Sequence, residues 1–132
     1  IHFVYLLYMT FYRPLPDFVT IKESPIEGLG LYAKETIEKD TVIGLTHIKN
    51  ELFENGYIRT PLGGFYNHSK TPNAVSIFCD TLDNVKSGSI LKNYDSAVLN
   101  VSSNYRFMVS LRKIEAGEEI TLKYNLYDPT SL

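Results

Sequence analysis

Short apolar runs recur along this chain at close spacing, with turn residues between them and little that reads as helix. Phe18-Val19-Thr20-Ile21-Lys22 alternates like a strand and leads into a turn region around Pro25 and Gly28. Leu31-Tyr32-Ala33 reads as a second short strand. Thr36 to Asp40 reads as a turn, followed by the β-rich run Thr41-Val42-Ile43-Gly44-Leu45-Thr46. Lys49 to Tyr57 is expected to form a helical turn or two, ended by the breaker cluster Thr60-Pro61-Leu62-Gly63-Gly64. Further strands are expected near residues 74–79, 95–101 and 105–111, with a polar loop or hairpin at 80–94. Arg112 to Gly117 turns into a last strand, Glu119–Lys123. There is no internal repeat and no low-complexity linker. Many short strands with little helix predict an all-β or mostly β domain.

Length and composition narrow this only a little. At 132 residues the chain is expected to form one domain. Aromatics are mostly Tyr, which suits either a β core or a pocket lined by rings with polar tips. The formal charge of −2 argues against a dedicated nucleic-acid binder, which normally shows a basic face. With Cys79 alone there is no disulfide framework and no Cys/His zinc cluster, and His2, His47 and His68 have no metal-ligand spacing. No metal is expected. The apolar opening Ile1-His2-Phe3-Val4-Tyr5-Leu6-Leu7-Tyr8 is too short to span a bilayer and lacks the basic n-region of a signal peptide. Residues 1–8 read either as an upstream segment or as a strand packed on the core. No membrane association and an intracellular location are expected.

Candidate chemistry centres on Asn67-His68-Ser69-Lys70-Thr71-Pro72-Asn73, preceded by Gly64-Phe65-Tyr66. Asn and His side chains hydrogen-bond polar ligands. Pro72 stiffens the loop, and Asn73 tolerates turn geometry. Followed by the strand-like Ala74-Val75-Ser76-Ile77-Phe78, the stretch reads as a binding loop on a β scaffold, or as an ordinary surface turn. Upstream, Ser24 to Ala33 contains Gly28-Leu29-Gly30, where glycine permits close backbone approach to a ligand. Downstream, Ile114 to Tyr124 contains Gly117-Glu118-Glu119-Ile120-Thr121 and ends in a tyrosine. Glu118 and Glu119 are adjacent on a strand and point to opposite faces, so they cannot work as a catalytic pair. One reads as a structural hydrogen-bonder, the other as solvent-facing. Arg112 and Lys113 read as surface charges.

In that order, the Gly-x-Gly, the Asn-His-Ser-x-x-Pro-Asn and the Gly-Glu-Glu-Ile-Thr-x-x-Tyr resemble the SET-domain protein lysine methyltransferases, over about residues 18–128. Short length and the wording Asn-His-Ser-Lys-x-Pro-Asn-Ala are similar to small algal-virus members of that family. The resemblance implies a mostly β, β-clip SET fold of short antiparallel sheets, with a C-terminal pseudoknot that brings the middle and last motifs together. Residues 1–17 would be an N-terminal extension, 18–128 the SET domain and 129–132 a tail.

The resemblance also implies an activity, the transfer of methyl groups from S-adenosylmethionine to a protein lysine ε-amine. The product S-adenosylhomocysteine would be left behind. Cofactor binding would fall to Glu27, Gly28, Leu29, Gly30, Tyr32, Asn67 and His68. In the family the Asn side chain holds the methionine part and the His backbone meets the adenine. On the residues alone His68 would be read as a general base or a structural histidine. Tyr124 would be catalytic, its hydroxyl orienting the lysine amine and the methyl. Tyr66 and Tyr127 would line the substrate lysine channel, though Tyr127 sits one residue closer to Tyr124 than the viral likeness implies. The expected partner is a protein or peptide lysine, with a histone tail as one candidate and a homodimer compatible with the small size. Location would be cytoplasmic for a bacterial or viral protein and nuclear for one acting on host chromatin. Against this stands a non-catalytic SET-like peptide-binding module. A nucleic-acid or small-molecule methyltransferase would typically show an α/β nucleotide-binding pattern, which this chain lacks.

Overall fold

In the computed structural model, residues 14–53, 56–79, 86–91 and 104–123 are described. Eight strands and one short helix occur among them. In chain order they are β1 (Val19–Glu23), β2 (Leu29–Ala33), β3 (Val42–Lys49), β4 (Tyr57–Arg59), α1 (Pro61–Phe65), β5 (Asn67–His68), β6 (Ala74–Cys79), β7 (Tyr105–Ser110) and β8 (Glu119–Leu122). They form two four-stranded sheets, ordered β1-β2-β8-β5 and β4-β3-β7-β6. The mostly β expectation holds, and so do the strands read at 18–22, 31–33, 41–46, 74–79, 105–111 and 119–123. The strand expected at 95–101 lies outside the described residues.

Two expectations are corrected. Lys49 to Tyr57 forms no helical turn among its described residues; it is the connection of the β3–β4 hairpin. Asn50 Oδ1 accepts from the Leu52 amide at 2.9 Å, a local bond that competes with helix, and the Asn50 amide donates to Gly56 across the loop at 2.8 Å. The supposed breaker at 60–64 is instead α1. Thr60 caps it through its side chain, and Pro61 occupies the first turn, where a missing N–H costs nothing.

The core lies between the sheets. Leu31 and Ala33 from β2, Ile120 and Leu122 from β8, Ile43 from β3, Met108 from β7 and Leu62 from α1 are all buried in one cluster. β7 is buried on both faces, because Phe107 and Val109 join Val42 and Ile77 in a second cluster on the far side of its sheet. The Thr36–Asp40 turn is borne out. Asp40 has φ 64°, and Ile37 and Ile114 exchange backbone hydrogen bonds at 2.8 Å.

The feature that builds the site is the position of β8. It pairs antiparallel with β2 and parallel with β5, registering Leu31 with Ile120 and Asn67 with Thr121. The last described strand is therefore inserted between the Gly-x-Gly strand and the Asn-His loop. Asn73 fixes it there. Its Oδ1 accepts from the Thr121 amide at 2.8 Å, its Nδ2 donates to the Glu119 carbonyl at 2.8 Å, and its amide donates to the Thr121 carbonyl at 3.2 Å. Ser69 adds a bond from its amide to the Leu122 carbonyl at 3.0 Å. Ser69 and Asn73 thus shape the loop and hold β8 against it.

Candidate functional site

Asn67 is where the motifs meet. Its side chain is buried, and Nδ2 donates to the carbonyls of Glu27 and Leu29, both at 3.1 Å, and to Glu119 Oε2 at 2.9 Å. The Gly-x-Gly turn, the Asn-His loop and the Gly-Glu-Glu strand thus converge on one nitrogen. Gly28 sits at φ 48°, a left-handed conformation that turns the chain so that both flanking carbonyls reach Asn67. Gly30 contributes in a different way. A Cβ there would lie 2.3 Å from Glu119 Oε2 and 3.1 Å from Asn67 Nδ2. The carboxylate fills the space a side chain would need.

Glu119 gathers further partners. Ser24 Oγ donates to its carboxylate at 2.8 Å, and the Tyr32 hydroxyl lies 3.4 Å from Oε1 while donating to the Glu23 carbonyl at 2.9 Å. Desolvation, then the Glu119 charge, hold the Tyr32 phenol above its ordinary value, against the Ser24 hydrogen bond. Lys22 Nζ stands 5.0 Å from the centre of the Tyr32 ring. Ile26 and Leu29, on the same turn, are each about half exposed, which leaves apolar surface beside the converging carbonyls.

Local sequence could not reveal the Glu119–Asn67 bond, because its partners are 52 residues apart. The signal that was available is a carboxylate in an otherwise apolar strand together with a glycine in the facing one. Glu119 is the structural hydrogen-bonder, and Glu118, the one on the solvent side, is engaged as well. Glu118 is half-buried, bonds Asn73, accepts from the Glu115 amide at 3.0 Å and pairs with Arg112. The Arg112 hydrogen bond holds the Glu118 carboxyl below the usual carboxylate range and raises the guanidinium in turn. Arg112 is therefore a clamp on the turn before β8 and not only a surface charge.

His68 belongs to β5 and pairs with Leu122, which fits a backbone role. Tyr66 ends α1, half-buried against the main core cluster. Nearby, burial pushes the Arg106 guanidinium below its ordinary value, with partial opposition from the Tyr66 and Tyr57 phenols. Glu27, Gly28, Leu29, Gly30, Tyr32, Asn67 and Glu119 thus form one site, with Tyr66 and His68 flanking Asn67 in the chain. Tyr124 and Tyr127 lie outside the described residues. β8 ends at Leu122, two positions before Tyr124.

Nothing resembling a metal centre occurs among the described residues, where no three His, Cys, Asp or Glu side chains cluster. No helix among them is long and apolar enough to cross a membrane. A cavity of about 560 Å³ lies between Pro14–Phe18, Gly44–Leu45, Thr60–Leu62 and Ser87, and shares no residue with the Asn67 site.

A family model described as the SET domain matches residues 47–125. Among solved structures, the chain is similar to a Plasmodium falciparum protein assigned as a histone methyltransferase. The TM-score is 0.56 at 21% identity, covering 84% of this chain and 96% of that one. It is also similar to Chaetomium thermophilum Polycomb Repressive Complex 2 bound to GSK126, with TM-score 0.53 at 17% identity, covering 81% of this chain and 16% of that one. The chain thus spans about a sixth of the Polycomb chain's length, and both likenesses are of fold. No curated protein matches the sequence.

Proposed function

The chain belongs to the SET-domain family, and from that premise we propose that it transfers methyl groups from S-adenosylmethionine to the ε-amine of a protein lysine. The observation that carries this reading is the convergence of the Gly-x-Gly turn, Asn67 and β8 on one polar centre. The residues present fit the cofactor. The Glu27 and Leu29 carbonyls are acceptors suited to a ligand ammonium, and Ile26 and Leu29 offer apolar surface to an uncharged ring. Asn67 and the turn would hold the methionine part, while backbone around Tyr32 and His68 would meet the remainder. When bound, S-adenosylmethionine supplies an electrophilic methyl group on sulfur.

The protein's task is then placement and proton control. A lysine in water titrates at about 10.4, so its ammonium must lose a proton, which desolvation favours, to become nucleophilic. Tyr66 and Tyr127 would wall an aromatic channel around the aliphatic stem. The Tyr124 hydroxyl would orient the amine for in-line attack. β8 pairs with His68 at Leu122, and Tyr124 follows two positions later in the sequence, which supports reading the two motifs as parts of one site.

The test is mass spectrometry of a protein and peptide panel, core histones included, incubated with S-adenosylmethionine and the wild type or Tyr124→Phe. The expected result is lysine mass gains in one-methyl steps, lost or strongly reduced in the variant. Cofactor binding without transfer to any protein would favour a non-catalytic peptide-binding module. Label entering DNA or small metabolites and never protein would overturn the reading.

A further inference from the structure

We propose that Glu119 is a positioning residue for the cofactor half of the site, acting by fixing which way the Asn67 amide faces. The inference rests on the proposed cofactor role of Asn67 but is separately testable. An asparagine side chain presents NH2 on one side and a carbonyl oxygen on the other. At Asn67 three acceptors crowd a single position, the carbonyls of Glu27 and Leu29 and a carboxylate oxygen of Glu119. Only the NH2 end can sit there, because a carbonyl oxygen would face three electron-rich oxygens. The carboxylate is the nearest of the three and the only charged one, and hydrogen bonds to charged acceptors are the stronger kind. Oδ1 is consequently directed away from Glu119, as an acceptor for a ligand's N–H.

The arrangement is specific to how Glu119 is held. Ser24 Oγ donates to both carboxylate oxygens at 2.8 Å, from the end of β1. Gly30 supplies the gap beneath, since any Cβ there would collide with Oε2. Glu119 thus links β1, β2, β5 and β8 at the one side chain the cofactor would address. It touches no reacting atom; its effect passes through Asn67.

Glu119→Leu keeps the approximate shape and removes the nearest and only charged of the three acceptors, leaving the two backbone carbonyls. Glu119→Gln retains an acceptor for Asn67 Nδ2, with its own NH2 able to face Ser24 Oγ, and serves as the rescuing variant. Two readouts separate positioning from mere stability. Without ligand, the Asn67 side-chain amide in the wild type gives two well-separated NMR proton signals slow to exchange. In Glu119→Leu the proton held by the carboxylate moves toward the shift of an unbonded amide and exchanges faster with water, while Glu119→Gln preserves both signals. With ligand, calorimetry on folded protein gives S-adenosylhomocysteine binding weakened about tenfold in Glu119→Leu and under about threefold in Glu119→Gln. Methylthioadenosine, which lacks the amino-acid part, binds all three proteins alike. An Asn67 amide signature unchanged in Glu119→Leu overturns the inference whether or not any cofactor binds. Equal weakening of both ligands would likewise overturn it and make Glu119 a structural residue. A locked amide in a wild type that binds neither ligand would leave the positioning intact and sink the methyltransferase reading instead.

Discussion

Lowering the pH from 8 to 5 is expected to remove about 2 kcal/mol of folding stability through His47 alone. His47 is buried, faces Arg106 across the β3–β7 pair, and packs edge-on to Tyr57 with ring centres 5.8 Å apart. Thr46 Oγ1 gives its only proton to the Arg106 carbonyl at 3.0 Å, so at 2.9 Å it must accept from His47 Nδ1–H. That fixes the neutral tautomer and leaves Nε2 bare, buried and without a hydrogen-bond partner. Protonation would place a second N–H where no acceptor waits, between the charges of Arg106 and Arg59. Desolvation first, then those two cations, push the imidazole from 6.5 down to about 4. The unfolded chain therefore binds a proton that the folded chain refuses. Stability is full above about pH 6.5, falls as pH drops toward 4, and levels off below. At 1.36 kcal/mol per pKa unit the whole span is about 3 kcal/mol, of which about 2 kcal/mol has gone by pH 5. Urea unfolding of the wild type and His47→Gln at intervals from pH 8 to pH 5 isolates the effect, because the variant retains the other titrating groups. The Glu118 carboxyl, held below 4.5, contributes only beneath this window. A wild-type minus variant difference that stays flat over that range would refute the burial and tautomer argument.

Two further perturbations test the scaffold. Gly63→Ala should destabilise by about 3 kcal/mol, since its Cβ would lie 2.2 Å from the backbone oxygen of Thr46, which cannot swing aside as a side-chain end could; denaturant midpoints measure it, and a neutral result would mean α1 does not pack on β3 as described. Asn73→Ala should cost about 3 kcal/mol by orphaning the Thr121 amide and the Glu119 carbonyl, and hydrogen exchange should rise most at β8; uniform protection loss across both sheets would contradict its role as the strand's anchor.

The strands were legible because each buries one or two faces with the periodicity that burial demands. Val19, Leu31 and Ala33, and the continuous run Phe107-Met108-Val109, are buried where alternation or an unbroken apolar stretch placed them. α1 was not legible, because Pro61 and two glycines look like breakers in a linear reading. In three dimensions Pro61 sits in the first turn, and Gly63 lets the helix approach the Thr46 carbonyl. The β3–β4 connection was not legible as a loop, because Leu52 and Phe53 look like residues that would be buried. Yet Leu52 is 92% exposed, and the Asn50 side chain has already taken its amide. At the site, the identities of Gly28, Gly30, Asn67 and His68 were readable as a pattern. The opposite facing of Glu118 and Glu119 also followed from strand geometry. Where each glutamate goes did not follow, because Ser24 and Asn67 lie 95 and 52 residues from Glu119 in the chain.

The strand order explains why those long-range partners are the informative ones. In β1-β2-β8-β5 every neighbour of β8 comes from a distant part of the chain, β2 from residues 29–33 and β5 from residues 67–68. Without β8 the Glu27 and Leu29 carbonyls and the Asn67 amide would have no carboxylate to organise them, and Gly30 would face a gap. The insertion of β8 supplies Glu119 to that gap, ties Asn73 to Thr121, and sets Leu122 beside His68, two positions before Tyr124 in the sequence. The cofactor half of the proposed site and the approach to its proposed catalytic tyrosine are therefore products of the same strand insertion. A ligand that stabilises one must stabilise the other, so added S-adenosylhomocysteine should slow hydrogen exchange in β8 and β5 more than in β4-β3-β7-β6.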